Sequence, residues 1–307
     1  MKFLLFLKKH WLKIFNFALI FAISFYAIAF GFEKAKNLEI FSQKQNEQTI
    51  ISIWHIETFE GGGKARIEYL KTVAKQIEKD NKELLFMIKS VSPEKLKSEL
   101  TLSIPDIVSF GFGVGNIVLP HLIAYENTFD VRDELISSGS FNKKFFAVPF
   151  IMSGYAIFNH SMLSNEFHVG TNEYIKPETI YESMSLKPQE TESQYEAYID
   201  FVYNKNVTLL GTGRDLFRIN NLNNLGRTNA MIQPVDTYTD LIQYLGITNQ
   251  NKTTLKFINL ALSNTYQTKL KDYSLFSSKY DKIYSNGIYN DMENAILSCK
   301  IPNVFYA

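Results

Sequence analysis

The chain has 307 residues, of which 46% are hydrophobic, 21% charged and 14% aromatic. This supplies enough apolar material for a large core, and it excludes a disordered, collagen-like or disulfide-stapled chain. The formal net charge is +1, but residues 1–32 hold four lysines and no acid, which leaves 28 of the 32 basic and all 31 acidic residues in the body. A mildly acidic body excludes the clustered basic face that binding of nucleic acid requires.

An apolar segment near the N-terminus predicts that the body lies outside the cell. Ile14–Phe32 carries no charge, and a helix of that length spans about 28 Å, close to the hydrocarbon thickness of a bilayer. The preceding flank KKHWLK is basic and Glu33 follows, so the positive-inside rule keeps the N-terminus in the cytoplasm. The length favours an uncleaved signal anchor, and cleavage of a signal peptide near Ala29 is the alternative. With no cysteine near residue 30, lipid attachment is excluded.

Little in the sequence indicates catalysis or metal binding. The single cysteine, Cys299, excludes an intrachain disulfide, and we interpret it as a small buried apolar residue. The five histidines lack metal-ligand spacing, and no nucleophile–base set can be identified. Glu57 and Glu60 are the one conceivable glycosidase pair, but both lie on one loop. We therefore expect no enzyme activity, no cofactor and no metal.

The body after a polar spacer, residues 33–48, alternates strands with helices. This alternation predicts an α/β fold with a parallel sheet, in which ligands bind at the carboxyl ends of the strands. The loops at those ends read HIETFEGGG and FGFGVG. The predicted elements are strand Thr49–Ile56, helix Lys64–Lys79, strand Leu84–Ile88, a helix with Ser92 as cap and Pro93 first, strand Ile107–Phe110, extended segments Phe145–Ile151 and Ala156–Asn159, helices Lys176–Met184 and Thr191–Tyr203, strands Val207–Leu210 and Ala230–Val235, and amphipathic stretches Thr253–Tyr266 and Tyr289–Leu297.

Several of these segments together resemble a known family. The run IISIWHIETFEGGGKARIEYLKTVAKQIEKDNKELLFMI resembles the opening of the family 1 extracellular solute-binding proteins. The resemblance continues, in the family's order, through IPDIVSFGFG, FFAVPFIMSGYAIFNH and KFINLALSNTYQTKLKDYSLFSSKY. VTLLGTGRDLFRI and IQPVDTYTDLIQYLGI are similar to the last stretch of the family's second lobe and its second crossing. The resemblance covers the chain from Thr49 to the C-terminus.

This resemblance implies a two-lobed periplasmic-binding-protein-like fold of type II, with a ligand cleft between the lobes. Most members of the family bind mono- or oligosaccharides and hand them to the membrane permease of an ATP-driven ABC importer. Lobe I is expected to comprise residues 49–146 and 247–307, and lobe II residues 147–246. The hinge crossings are expected at Ala147–Ser153 and Tyr238–Gly246.

The chain departs from the family in two respects. The second lobe, from about Phe150 to Asp240, is shorter than usual, and the lipidated cysteine of many relatives is missing. A fixed membrane anchor and a reduced lobe keep a second hypothesis open, in which the chain is an anchored sensor or partner-binding protein.

The candidate ligand-binding residues lie at predicted strand ends, at the first crossing and in the GTGRD turn of the second lobe. Sugars bind to aromatic faces, while planar polar side chains satisfy the sugar hydroxyls. For each aromatic residue, and for Trp54 above all, packing in the core is the alternative. The candidates are Trp54, His55, Glu57, Phe59, Glu60, Gly62, Phe110, Phe112, Met152, Ser153, Tyr155, Arg214 and Asp215.

Two glycine-rich turns precede predicted helices. Glu60–Gly63 lets the backbone approach a ligand, and the helix N-terminus behind it suits an anionic group such as a phosphate or a uronate, together with Arg66. A tight turn without a ligand is the alternative. In the GTGRD turn, Arg214 and Asp215 are expected either to bind sugar hydroxyls or to pair with each other, with Arg218 one turn further on.

Overall fold

The computed structural model describes residues 20–21, 24–26, 49–57, 63–126, 129–160, 209–279, 281–285 and 287–306. Contacts divide the chain into two units, residues 1–49 and 50–307. In the first unit, residues 20–21 and 24–26 are helical. Within the described residues, no helix combines the length and the apolar character needed to cross a bilayer.

Some predicted segments lie wholly or mostly outside the described residues. They are the membrane segment Ile14–Phe32, the spacer 33–48, and the helices Lys176–Met184 and Thr191–Tyr203. All four stay predictions.

Three sheets contain the described strands. The largest has the strand order β11-β6-β10-β3-β1-β2, a smaller one has the order β8-β7-β9, and β4 pairs with β5 alone. The strands are β1 (Thr49–Ile56), β2 (Leu84–Val91), β3 (Ile107–Phe110), β4 (Ser140–Phe141), β5 (Lys144–Phe145), β6 (Val148–Met152), β7 (Tyr155–Asn159), β8 (Leu209–Thr212), β9 (Met231–Pro234), β10 (Ile242–Ile247) and β11 (Phe276–Ser277).

The large sheet is mixed rather than wholly parallel. β1 and β3 run parallel, with Ile53 opposite Ile107, as the α/β pattern predicts. β10 runs antiparallel to both β3 and β6, and β11 runs antiparallel to β6. β6 ends at Met152, and β10 begins at Ile242 directly opposite it. The returning chain therefore runs along β6 in the opposite direction. An α/β fold is confirmed, and the expectation of a purely parallel sheet is corrected.

The helices begin and end close to the predicted positions. The stretch Thr253–Tyr266 is divided into two helices, because Ser263 adopts an extended backbone between them. The described α-helices are α1 (Gly63–Asp80), α2 (Pro93–Leu102), α3 (Gly115–Val118), α4 (Asp133–Ser138), α5 (Gly213–Asn224), α6 (Lys252–Ala261), α7 (Asn264–Thr268) and α8 (Gly287–Ser298), with short 3-10 helices at Leu119–His121 and Lys269–Tyr273.

The central strands β3, β6 and β10 of the large sheet are buried on both faces, whereas the edge strand β2 is partly exposed. Side chains alternate between the two faces along each strand. Ile53 and Ile107 pack on one face in a cluster with Leu70 of α1 and Phe257 of α6. Their chain neighbours point to the opposite face. There, Trp54, Val108 and Phe110 pack in a cluster with Leu96 and Leu100 of α2. Cys299 is buried, as the sequence predicts, and burial raises the pKa of its thiol to about 12.

The three-stranded sheet is antiparallel throughout and carries helix α5 directly after β8. Leu216 and Ile219 of α5 are buried in the same cluster as Phe158 of β7 and Leu209 of β8. The arrangement places α5 on this smaller sheet and α1 on the large one. The exact lobe boundaries, 49–146 with 247–307 and 147–246, stay a prediction.

Candidate functional site

A cavity of about 510 Å³ lies between elements of the two sheets. Four segments line it: the beginning of α1, the chain just after β6, the first turns of α5, and the segment Asp272–Phe276 that leads into β11. Three of the predicted site residues, Met152, Ser153 and Arg214, line this cavity. Arg66 and Arg218, which the sequence analysis places beside the two glycine-rich turns, also line it, whereas the rest of the lining was not predicted.

The chain just after β6 forms one wall of the cavity and ties the two crossings together. The backbone N–H of Ser153 donates to the carbonyl oxygen of Leu241 at 2.7 Å, and Thr239 Oγ1 donates to the carbonyl oxygen of Ser153 at 2.7 Å. Met152 is fully buried, and its sulfur lies 3.9 Å from Arg132 Nη1. The two predicted hinge segments are therefore hydrogen-bonded to each other beside the cavity.

The first turn of α1 brings charged side chains to the cavity. Lys64, Arg66 and Glu68 line it, and Arg66 is only 4% exposed. Glu68 forms an ion pair with Lys71 at 2.8 Å, and the hydrogen bond from Lys71 holds the pKa of this carboxyl below its ordinary value. The predicted residues Phe59, Glu60 and Gly62, just before this helix, lie outside the described residues.

The N-terminus of α5 is closed by its own capping box. The carboxylate of Asp215 accepts hydrogen bonds from the backbone N–H of Thr212 at 2.9 Å and from Thr212 Oγ1 at 3.2 Å. Its other oxygen lies 3.4 Å from Arg218 Nη1, and Asp215 is 1% exposed. Asp215 thus stabilises the helix end and pairs with Arg218, whereas Arg214, half-buried, lines the cavity.

Aromatic side chains form the remaining wall. Phe217, Tyr273 and Phe276 line the cavity, and the rings of Phe217 and Phe276 lie 5.5 Å apart. Phe217 also stacks on Tyr289 at 4.6 Å, which fixes the orientation of its ring. Sequence reasoning did not select these three residues. All three lie within quoted runs, Phe217 in GTGRDLFRI and the other two in KFINLALSNTYQTKLKDYSLFSSKY, but nothing local distinguishes them. Phe276 reaches the site because β11 pairs with β6, and Tyr273 lies just before that strand.

The structure places the other described site candidates away from the cavity. Trp54 and Phe110 are buried in the core, in line with the hypothesis that these aromatic residues pack there and do not contact a ligand. Lys89 Nζ lies 5.1 Å from the centre of the Trp54 ring. Glu57 is exposed and accepts a hydrogen bond from Ser90 Oγ at 2.7 Å. Phe112 is half-buried in the turn after β3, and Tyr155 is buried with its hydroxyl donating to Asp240 at 2.8 Å.

His55 belongs to a buried polar cluster across three strands of the large sheet. His55 Nδ1 lies 3.1 Å from Ser109 Oγ, which also accepts a hydrogen bond from Gln243 Nε2 at 3.1 Å. Burial, and secondarily the charge of Arg66, lowers the pKa of His55 to about 3, so the ring is neutral at physiological pH. Among the described residues, neither His55 Nε2 nor Gln243 Oε1 has a hydrogen-bond partner.

Comparison with known proteins shows similarity at the level of the fold. No protein-family model matches the sequence, and no curated protein matches it either. Among solved structures, the chain is similar to the GacH receptor of Streptomyces glaucescens, solved unliganded and with acarbose and an acarbose homolog. The TM-score is 0.63 at 10% sequence identity, covering 84% of this chain and 89% of the receptor.

Two further solved structures match over a similar length. A cyclo/maltodextrin-binding protein in complex with maltotetraose has a TM-score of 0.58 at 11% identity, covering 83% of this chain and 86% of that protein. An extracellular solute-binding protein from Staphylococcus aureus in complex with maltose has a TM-score of 0.57 at 11% identity, covering 83% and 87%. The two-lobed solute-binding-protein fold that the sequence resemblance implies is therefore confirmed.

Proposed function

We propose that this protein is an extracellular solute-binding protein that captures a mono- or oligosaccharide for an ATP-driven ABC importer. One observation carries the proposal: the 510 Å³ cavity lies between the elements of two sheets and combines aromatic faces with guanidinium groups. Its volume lies within the range of about 300–1,000 Å³ that is usual for small-molecule sites. Similar structures of this fold hold acarbose, maltotetraose and maltose.

The chemistry of the cavity suits a sugar ring. Phe217 and Tyr273, both half-buried, offer apolar faces to the C–H groups of a pyranose, and the buried ring of Phe276 packs against Phe217. Arg214 and Ser153 supply a planar donor and a hydroxyl to the sugar's oxygen atoms. Closure of the two lobes about the crossings at 147–153 and 238–246 would then enclose the ligand.

The proposed location is the outer face of the cell membrane. The basic flank before Ile14–Phe32 supports an orientation with the body outside, tethered to the bilayer by that segment, or secreted if the chain is cleaved near Ala29. The proposed protein partners are the permease subunits of the importer. A binding role without catalysis is supported by the similar structures, which are binding proteins.

The proposal is tested by thermal unfolding of the full chain in lipid nanodiscs, where no maltoside detergent competes for the cavity. A sugar present at about 100 times its dissociation constant should stabilise the fold by about 2.7 kcal/mol, a shift of several degrees. The panel comprises neutral mono- and oligosaccharides, sugar acids and sugar phosphates. Chromatography of the sugar after incubation would show whether it is chemically changed, which would contradict the non-enzymatic role.

Matched arginine variants locate the binding site. Arg214→Ala changes the cavity lining, whereas Arg227→Ala changes an exposed residue just beyond the same helix. The first should reduce the ligand-induced shift and the second should not. If a folded protein shows no shift with any sugar, the sugar-capture proposal is wrong and the anchored sensor or partner-binding hypothesis replaces it.

A further inference from the structure

The segment that follows α8, residues 299–305, runs from the three-stranded sheet to the large sheet. Before it, α8 contacts β9, and a Cβ atom on Gly154, just before β7, would be 2.8 Å from the side chain of Ile296. The thiol of Cys299 donates to the carbonyl oxygen of Val235, just beyond β9, at 3.4 Å. The segment therefore begins against the three-stranded sheet.

The middle of the segment pairs with the second crossing. The backbone N–H of Lys300 donates to the carbonyl oxygen of Thr237 at 3.0 Å, and the N–H of Thr239 donates to the carbonyl oxygen of Lys300 at 3.1 Å. The hydroxyl of Thr239 donates in turn to the carbonyl oxygen of Ser153 in the first crossing. The segment is thus hydrogen-bonded to the crossings about which the cleft is proposed to close.

The backbone at the end of the segment is fixed to α4. The N–H of Val304 donates to the carbonyl oxygen of Ser138, the last residue of α4, at 2.9 Å. The hydroxyl of Ser138 accepts a hydrogen bond from Tyr244 of β10 at 2.8 Å, which ties α4 to the large sheet. A Cβ atom on Gly115, the first residue of α3, would be 2.0 Å from the carbonyl oxygen of Val304, so the two backbones are in contact.

Two side chains also hold this end. Asn303 Nδ2 donates to the carbonyl oxygens of Ser137 at 2.8 Å and Ser140 at 2.7 Å. Phe305 is 4% exposed, and its ring lies 6.2 Å from that of Phe110 in β3. Neither Asn303 nor Phe305 lines the cavity. The segment therefore joins the two sheets at a place that a ligand in the cavity does not touch.

The connection is short and stiff. Three residues, 301–303, separate Lys300 at the crossing from Val304 on α4, and Pro302 among them has a fixed φ. Four residue steps reach at most about 14 Å. The two attachments therefore cannot move far apart unless one of them is released.

A buried arginine links the same elements a second time. Arg132, the N-cap residue of α4, is 3% exposed, and its Nη2 donates to the carbonyl oxygen of Leu297 in the last turn of α8 at 2.8 Å. The last carbonyl groups of a helix lack partners within the helix, and a cation is favourable there. A rotation that carries α8 and the three-stranded sheet away from α4 would break this hydrogen bond and pull on residues 299–305.

We propose that residues 299–305 form a strap that restrains the opening of the cleft and so sets the affinity for the solute without contacting it. In this structure the strap is in place while elements of both sheets line one cavity, so it favours the arrangement that binds. A ligand then has less conformational free energy to supply. The effect on affinity rests on the function proposed above, whereas the restraint on opening is independent of any ligand.

Pulsed electron paramagnetic resonance on the full chain in nanodiscs measures the opening without a ligand. Spin labels on Lys75→Cys in α1 and Asn229→Cys just before β9, both exposed positions, report the distance between the two sides of the cleft. Cys299 is buried and burial raises the pKa of its thiol to about 12, so labelling spares it. Asn303→Ala removes two hydrogen bonds of the strap and should shift the distances to longer values with a broader distribution.

A second variant and a control accompany this measurement. Phe305→Leu keeps an apolar side chain but loses the ring contacts, and it should lengthen the distances in the same way. Asn221→Ala, at an exposed position of α5, should leave them unchanged. Thermal unfolding first shows which variants are folded, and Phe305→Leu carries the test if Asn303→Ala is not.

Calorimetric titration with a panel of neutral and acidic sugars gives the second readout. If a strap variant lowers the fraction of binding-competent protein to between about one-third and one-tenth, the dissociation constant should rise about three- to tenfold. Because the strap does not touch the ligand, every sugar that binds should weaken by the same factor. Arg214→Ala, in the cavity lining, should instead weaken different sugars unequally.

The outcomes separate the strap from the sugar-binding function. Distances in folded Asn303→Ala and Phe305→Leu proteins equal to those in Asn221→Ala would overturn the strap. Shorter distances would overturn it too, because the segment would then hold the sheets apart. Longer distances with unchanged sugar affinity would refute its control of affinity. Longer distances in a protein that binds no sugar would support the strap and contradict the proposed function.

Discussion

Gly213 lies so close to Ser153 that a Cβ atom on Gly213 would be 2.4 Å from Ser153 Oγ. The backbone N–H of Gly213 also donates to the carbonyl oxygen of Gly154 at 2.9 Å, and the ring of Phe276 lies 3.0 Å from the same hypothetical Cβ. The first residue of α5 therefore rests directly against the first crossing, at the wall of the cavity. Only a residue without a side chain allows this approach.

Gly213→Ala should force the crossing and α5 apart. We expect the free energy of unfolding to fall by about 1–3 kcal/mol, as for other over-packed sites, together with weaker sugar binding. Adding Ser153→Ala removes the nearest atom and should restore part of the lost stability, which a double-mutant cycle in urea measures. Asn221→Ala, at an exposed position of the same helix, is the control. An additive double mutant would show that the two residues do not interact.

Asp215→Asn should destabilise the protein without abolishing sugar binding. The buried carboxylate accepts hydrogen bonds from Thr212 and pairs with Arg218, so its loss should cost about 1–3 kcal/mol of unfolding free energy. Asp291→Asn, exposed in α8, is the matched control and should leave stability close to that of the unaltered protein. Loss of sugar binding in a folded Asp215→Asn protein would instead place this residue in direct contact with the ligand.

Gln267→Met should loosen the segment that carries Phe276 into the cavity wall. Its Nε2 donates to the carbonyl oxygens of Phe150 at 3.0 Å and Ala261 at 2.9 Å, while its Oε1 accepts from Ser277 Oγ at 2.7 Å. Methionine has a similar volume but cannot form these hydrogen bonds, although the carbonyl oxygen of Ala261 keeps the one from the Tyr69 hydroxyl, so we expect a loss of about 2–4 kcal/mol.

The control for that experiment is Gln76→Met, whose side-chain amide donates to the exposed Asp80 at 3.1 Å. Chemical unfolding followed by circular dichroism measures both variants. Equal unfolding midpoints for Gln267→Met and the unaltered protein would show that the hydrogen bonds of Gln267 do not contribute to stability.

The pH dependence of stability should report on His55. Folding lowers the pKa of this ring to about 3, whereas the unfolded chain takes up a proton near its ordinary pKa of 6.5. The unfolded state therefore binds more protons between these values, so stability is complete above about pH 6.5 and falls as the pH drops towards 3. The slope from this one group approaches about 1.4 kcal/mol per pH unit.

His55→Gln should flatten this dependence of stability on pH. His121 is half-buried, and the control variant His121→Gln should show the same pH dependence as the unaltered protein. The urea concentration at the unfolding midpoint is measured for each protein at several pH values between 7.5 and 5. Subtracting the midpoint of the unaltered protein from that of the variant at each pH removes the contribution of carboxylates, which titrate in both. Parallel profiles for His55→Gln and the unaltered protein would mean that the ring titrates normally in the folded state.

The sequence predicted the large sheet's first three strands and the helix that follows β1 closely. Ile53 and Trp54 illustrate why: in a strand buried on both faces, most consecutive residues are apolar, and the helical period of α1 is equally regular. The same local patterns could not tell ligand contacts from core packing. Trp54 and Phe110 occupy the core, although their positions at strand ends also fit a cleft.

The buried character of β1 and β3 and the boundaries of α1 were determined by the sequence alone, because hydrophobic periodicity and glycine turns act over a few residues. The two-lobed fold was implied by the family resemblance. The cavity was decided only by tertiary structure. Phe276 reaches it through the pairing of β11 with β6, and Arg66 of α1 and Arg214 of α5 both line it although their helices lie on different sheets. Contacts between segments so distant in the chain arise from packing of the whole fold, and no local pattern of residues encodes them.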